Sequence, residues 1–357
     1  MTGSVNMNKK FFLILFSVAA LSSAAYADMP KVTGKPVIDT PAVLEWPLDN
    51  GAAKPSLHNP TSNTLFDLHG KVDSCDLVLS TEGNYHMALR DVWPLVLAKF
   101  KDDPLHNPLY TTSPPVVVPQ MDKGLVQFDN LNITCRPSVA VGNKTVMDKI
   151  KAAGFAEGDP TPLYVDRGDV ILVKKGNPKH ISSVWDIGRK GVRLVTPNPD
   201  LEPGAYKNYL EAIYNIAKAD TKPPKGWTAE KLINRIFNGA SGDKLKWLAG
   251  ARIHHRDEPW SVAYGRADVA VILYHLGRYT KESFPDTFDM VSLGGTANDP
   301  QPLAGTKIGT RFVVALKGDW TPKQKTAQTA LIDTLKSDDF TNALESHGLK
   351  RPAPQMP

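Results

Sequence analysis

Asp169-Val170-Ile171-Leu172-Val173-Lys174-Lys175-Gly176-Asn177-Pro178 is the stretch that decides the fold. Its apolar run is too short for a helix, rich in β-branched residues, and closed by a Gly-Asn-Pro turn, so it reads as a strand buried on both faces. Such a strand needs helices above and below it, and the flanking sequence supplies them. Val192-Arg193-Leu194-Val195 is followed by Tyr206, Leu210, Ile213, Tyr214 and Ala217 at helical spacing, opened by Pro203-Gly204. Asp268 to Leu273 is a further strand. Upstream, Asp76 to Ser80 precedes a helical pattern from Leu89 to Phe100, which Pro94 is expected to kink, and Leu131 to Thr134 is another strand. Downstream, Arg311 to Leu316 leads into helices over Pro322–Lys336 and Asp339–His347. This alternation predicts an α/β fold with mostly parallel sheets covered by helices.

The ends and totals set the frame. Lys9-Lys10, the apolar run Phe11 to Leu21 and Ala25-Tyr26-Ala27 form a signal-peptide pattern, so cleavage after Ala27 and export to the periplasm are expected. An apolar run of about 11 residues is too short to span a bilayer. Residues 28–70 read as a Pro/Asn-rich extension, and the rest of the chain is long enough for two lobes. The formal charge of +5 is spread along the chain without a dense basic stripe, so no nucleic-acid partner is expected. The local signatures of metalloproteases, nucleophile-elbow hydrolases, P-loops and paired CxxC zinc sites are absent, and no catalysis and no cofactor are expected.

Ligands of parallel α/β sheets sit beyond the carboxyl ends of the strands, where helices begin. Ser80-Thr81-Glu82-Gly83-Asn84 offers hydroxyls there, or simply a helix cap, with Glu82 an awkward neighbour for an anion. Thr112 and Ser113 add hydroxyls but precede two prolines, as turn formers do. Arg136 can clamp an anion or sit on the surface. Gly204-Ala205 allows close approach to the backbone at a helix start. His254-His255-Arg256 lies just before a helix that Asp257 can cap and Pro259 can start; on an extended segment only one histidine would face a cleft. A transition-metal site or a structural role competes with anion contact there. Tyr274 ends a strand as a single hydroxyl donor, with His275 beside it.

Three stretches resemble the type II periplasmic binding proteins, in particular the molybdate-binding and related extracellular solute-binding proteins: Asp169 to Pro178 with its "KGNP" turn, Arg252 to Tyr274, and Ser337-Asp338-Asp339-Phe340 through Gly348-Leu349. The resemblance covers roughly residues 75 to 352. It implies two lobes (71–170 with 300–357, and 171–299) joined by two crossover strands, with a small anionic solute in the cleft. The solute would be a molybdate-like oxyanion or a small carboxylate, held by Ser80, Thr81, Thr112, Ser113, Arg136, Gly204, Ala205, His254, His255, Arg256 and Tyr274. Delivery to the permease of an ABC importer, or to a membrane sensor, by a monomer is the expected role. A metal or anion–metal carrier using His254, His255 and Tyr274 is the alternative. The implied topology also puts Cys75 before its strand and Cys135 after a neighbouring one, at opposite sheet ends, which argues against the disulfide that an oxidising compartment invites.

Overall fold

The computed structural model of the protein describes residues 29–38, 70–72, 74–111, 118, 121, 126–128, 131–251 and 253–353. The predicted signal peptide, most of the 28–70 extension, Thr112, Ser113 and Arg252 lie outside the described residues.

Along the chain, β1 (Val37–Ile38), β2 (Gly70–Val72) and β3 (Val78–Thr81) precede α1 (His86–Ala98), which runs on through Pro94. Then come β4 (Leu109–Tyr110), β5 (Val126–Phe128), β6 (Leu131–Ile133), β7 (Val139–Asn143), α2 (Lys144–Ala152) and the long β8 (Ala156–Val165). After residues 166–168 the chain enters β9 (Asp169–Lys174), α3 (Val184–Ile187), β10 (Leu194–Thr196), α4 (Pro203–Ala219) and α5 (Ala229–Phe237). Beyond them lie β11 (Trp247–Ala249), α6 (His254–Ala263), β12 (Val269–Leu273), α7 (Tyr274–Ser283) and β13 (Phe288–Ser292). β14 (Thr310–Leu316), α8 (Pro322–Lys336) and α9 (Asp338–Ser346) finish the order.

These elements build two lobes. One holds a five-stranded sheet in the order β4-β3-β7-β14-β8, the other a six-stranded sheet in the order β1-β11-β10-β12-β9-β13, and β2-β6-β5 form a small third sheet. Because β1 belongs to the six-stranded sheet, the described elements change lobe three times: between β1 and β3, from β8 to β9 and from β13 to β14. The sheets are mixed. β3, β4 and β7 pair in parallel, as do β1, β10, β11 and β12, but β14 with β7 and β8, and β9 with β12 and β13, are antiparallel. The central strands are apolar on both faces: every residue of β12 is buried, as is β9 from Asp169 to Val173. Helices on either side cover them, α4, α5 and α7 contributing Ile213, Ile233 and Leu276 to one continuous core. The five-stranded sheet has a smaller core, with Leu79, Val141 and Val313 against Leu89, Leu331 and Phe340.

Two expectations give way to the structure. Cys75 and Cys135 form a disulfide, with Cα atoms 5.7 Å apart. The strand Leu131–Ile133, expected beside β3, belongs to the small sheet; the true neighbour is β7, which pairs in parallel from Leu79↔Val139. Cys75 and Cys135 therefore both precede adjacent parallel strands and meet at the same end of the sheet. Second, α6 begins at His254 and carries Pro259 inside it rather than starting there. Asp257 still serves the helix start, since its carboxylate accepts a hydrogen bond from Ile253 N at 3.1 Å. No helix among the described residues is long and apolar enough to cross a membrane.

Candidate functional site

A cleft of about 740 Å³ opens between the lobes. Glu82–Asn84, Gly142–Val146, Asp166 and Gly309–Phe312 line it from the five-stranded side, and Leu201–Ala205, Tyr209 and Ile253–His255 from the other. Its construction follows from where helices start. Asn143 ends β7 and caps α2, its side chain accepting a hydrogen bond from Val146 N at 3.0 Å. Pro203 opens α4 at the first position, which leaves Gly204 and Ala205 on the cleft wall. α6 opens with His254. Three helix N-termini thus face one space, each with main-chain N–H groups that have no partner inside their helix and with the positive end of the peptide dipoles. Such an arrangement binds negative charge.

The acids that line the cleft among the described residues are all engaged. Glu82 is ion-paired with Arg311. Glu202 accepts a hydrogen bond from the backbone N of His254 at 3.0 Å and stands 2.8 Å from its Nδ1. Glu211 is paired with Lys207 and Lys307. Asp166 accepts from Gly168 N at 3.1 Å and Gly309 N at 2.9 Å; burial, only partly offset by Arg311, raises its pKa to about 6. Burial opposes the charge of Arg311, but Glu82 outweighs it and holds the guanidinium above its ordinary range.

Behind the cleft wall the two lobes meet through histidines. The ring of His86, from α1, stacks on that of His255, from α6, at 5.7 Å, and meets Tyr279 edge-on at 5.3 Å. Arg90 donates to the Tyr279 hydroxyl at 3.1 Å. Burial lowers the pKa of His86 to about 4 and of His275 to about 3, and drives His255 well below its usual value with help from His254. These rings are neutral at pH 7. Nearby, Asp169 and Glu258 are buried, both carboxyl oxygens of each lacking hydrogen-bond partners among the described residues; burial raises both pKa values far above the carboxylate range.

Of the residues predicted to contact ligand, the fold brings Gly204, Ala205, His254 and His255 to this cleft. Both histidines line it because consecutive residues on a helix lie about 100° apart, not on opposite faces as on a strand. The others stand elsewhere. Ser80 and Thr81 are buried in β3, with the Thr81 hydroxyl 3.0 Å from that of Tyr85, and the chain reaches the cleft one residue later at Glu82. Arg136 is exposed and lies over the Phe155 ring at 5.8 Å. Arg256 is packed close to His86 and Tyr279. Tyr274 is fully buried, its hydroxyl directed at Asn298 O at 3.4 Å and its ring under Arg167 at 5.5 Å. Thr112 and Ser113 lie outside the described residues. Among the described residues no group of three or more His, Cys, Asp and Glu is placed to hold a metal ion, so the metal-carrier alternative lacks its donors there. Arg311, Asn143 and Glu202 line the cleft without having been singled out from sequence. The signal for Glu202 was present, since it directly precedes Pro203.

Comparison with known proteins agrees with this architecture. Over 43 residues, 12% of this chain, it is 51% identical to the sulfate-binding proteins of Salmonella typhimurium and Escherichia coli, a match that spans 13% of their length. The structure is similar to the sulfate-binding protein SubI from Mycobacterium tuberculosis, with a TM-score of 0.52 and 16% identity over 80% of this chain and 88% of that one. It is also similar to the periplasmic molybdate-binding protein of Azotobacter vinelandii, with a TM-score of 0.50 and 14% identity over 78% of this chain and 100% of that one. Residues 138–350 match the sequence pattern of a bacterial extracellular solute-binding protein. That match extends over more than half of the chain, which belongs to the family of bacterial extracellular solute-binding proteins.

Proposed function

We propose that the inter-lobe cleft captures a small anionic solute in the periplasm and presents it to the permease of an ABC importer, with no chemistry performed on it. The observation that carries this reading is the convergence of the N-termini of α2, α4 and α6 on one space between two lobes. Lys144, Lys207, Lys307 and Arg311 stand on its walls and offset the carboxylates of Glu82, Asp166, Glu202 and Glu211 there. Glu82, which a hydrolytic role would need as a free carboxylate, is committed to Arg311. Two hinge-like crossovers let the lobes close on the solute and exclude water, which strengthens each contact. The sulfate- and molybdate-binding names of the similar proteins favour an anion.

A thermal-shift series on the protein, with sulfate, molybdate, phosphate, succinate, citrate and Zn²⁺, tests this. Saturation at about 100 times Kd adds about 2.7 kcal/mol of stability, a rise of several degrees in Tm. At least one anion gives that rise. A shift with Zn²⁺ alone, or with none of them, rejects the reading.

A further inference from the structure

The cleft contains more than a tetrahedral oxyanion needs. Its volume of about 740 Å³ lies within the range of roughly 300–1,000 Å³ typical of pockets for organic ligands. Apolar surface forms part of its walls: Val146, Leu201, Ile253, Ile308 and Phe312 all line it, and Leu201 and Ile308 stand exposed at 57% and 46%. A strongly hydrated inorganic ion gains nothing from such surface, whereas a carbon skeleton does.

Arg311 adds a second, independent observation. Its side chain is only 14% exposed, while those of Lys144, Lys207 and Lys307 are more than half exposed. Its Nε is engaged by Glu82, and the planar fork ends in the two Nη groups. Nη1 lies against Gly309, where a Cβ would approach it to 2.5 Å and would reach Asp166 Oδ2 at 2.7 Å. Glycine at 309 is what allows the guanidinium to lie between Glu82 and Asp166. A fork held at its Nε by Glu82 still carries two Nη groups, whose spacing matches the two oxygens of a carboxylate. The acids on either side also accept hydrogen bonds, a feature that suits a ligand with hydroxyl groups.

We propose, on the basis of the anion-capture reading above, that the solute is an organic carboxylate whose carboxyl group sits on the Nη edge of Arg311 and whose body lies on the apolar wall of the cleft. The opposite end of the molecule then meets the N-termini of α4 and α6.

Isothermal titration with sulfate, molybdate, succinate, citrate, gluconate and benzoate tests this. One of the carboxylates binds at least tenfold more tightly than either inorganic anion. Arg311→Lys, which keeps the charge but loses the fork, weakens it at least tenfold. The charge-neutral pair Glu82→Gln/Arg311→Met, which leaves Asp166 held by the N–H groups of Gly168 and Gly309, weakens it at least a hundredfold with the circular dichroism spectrum unchanged. Tighter binding of sulfate or molybdate than of every carboxylate overturns the proposal while leaving anion capture intact. A carboxylate whose affinity is the same in both variants also overturns it. Binding of none of the six rejects this proposal and anion capture together.

Discussion

The two lobes solve the same problem differently. The six-stranded lobe has a broad apolar core, with β9, β10 and β12 buried under α4, α5 and α7. The five-stranded lobe has a smaller core and is stapled by Cys75–Cys135 across the start of β3 and β7. Stability from burial grows with the area removed from water, so the lobe with less of it gains most from a covalent constraint. The larger lobe instead anchors polar groups inside it. Lys246, 2% exposed, donates to the carbonyls of Ile187, Arg189 and Val192, at 2.8 Å for Arg189.

The sharpest way to break this contrast is Cys75→Ala/Cys135→Ala. Opening a loop with a sequence separation of 60 costs about 4 kcal/mol. Chemical denaturation followed by hydrogen exchange shows the loss in β3 and β7; an equal loss in β10 and β12 means the lobes do not stand apart. Next, Ile272→Ala in the fully buried β12 costs about 3 kcal/mol and moves the six-stranded lobe alone. Lys246→Met leaves buried carbonyls unsatisfied and costs about 2 kcal/mol, seen as a lower urea midpoint. If Lys246→Met instead raises that midpoint, the buried charge was a burden to the lobe rather than an anchor.

The smaller effects depend on pH. His86, His255 and His275 have lowered pKa values, so the folded state binds fewer protons than the unfolded one below the ordinary histidine value. Their contribution is fully present above pH 6.5 and is lost as pH falls toward about 4. His255→Gln flattens the acid limb of Tm against pH. Glu258 behaves oppositely: its raised pKa makes the folded state hold a proton that the unfolded chain releases, so stability declines as pH climbs above the ordinary carboxylate value. Glu258→Gln therefore raises Tm at pH 8 relative to pH 5. A slope that stays the same in Glu258→Gln contradicts this assignment.

What the sequence made legible tracks the two lobes as well. β9, β12 and β14 are readable because unbroken apolar runs leave little choice. β8 is invisible: it carries Gly158, Pro160 and Pro162 and is largely exposed from Glu157 to Pro162, so neither alternation nor an apolar run marks it. β7, Val139–Asn143, escapes notice although its first four residues are buried, and with it goes the neighbour that brings the cysteines together. In the cleft, Gly204-Ala205 and His254-His255 are legible as turns after strands. Arg311 and Glu82 are not linked in sequence because 229 residues separate them, and only the assembled sheet places one beside the other. The discomfort of Glu82 next to an anion site is visible, but its partner is not.

The order β4-β3-β7-β14-β8 has a further consequence. Among the described strands β8 pairs with β14 alone, which is made almost 150 residues later, after the six-stranded lobe. Apart from β1, which joins the six-stranded sheet, a chain synthesised from its N-terminus therefore begins the five-stranded lobe, completes the other, and then returns to close the first. Until β14 inserts, both β7 and β8 present open edges to other chains. The five-stranded lobe, although β3 and β7 are made early, is the last to be safe from aggregation.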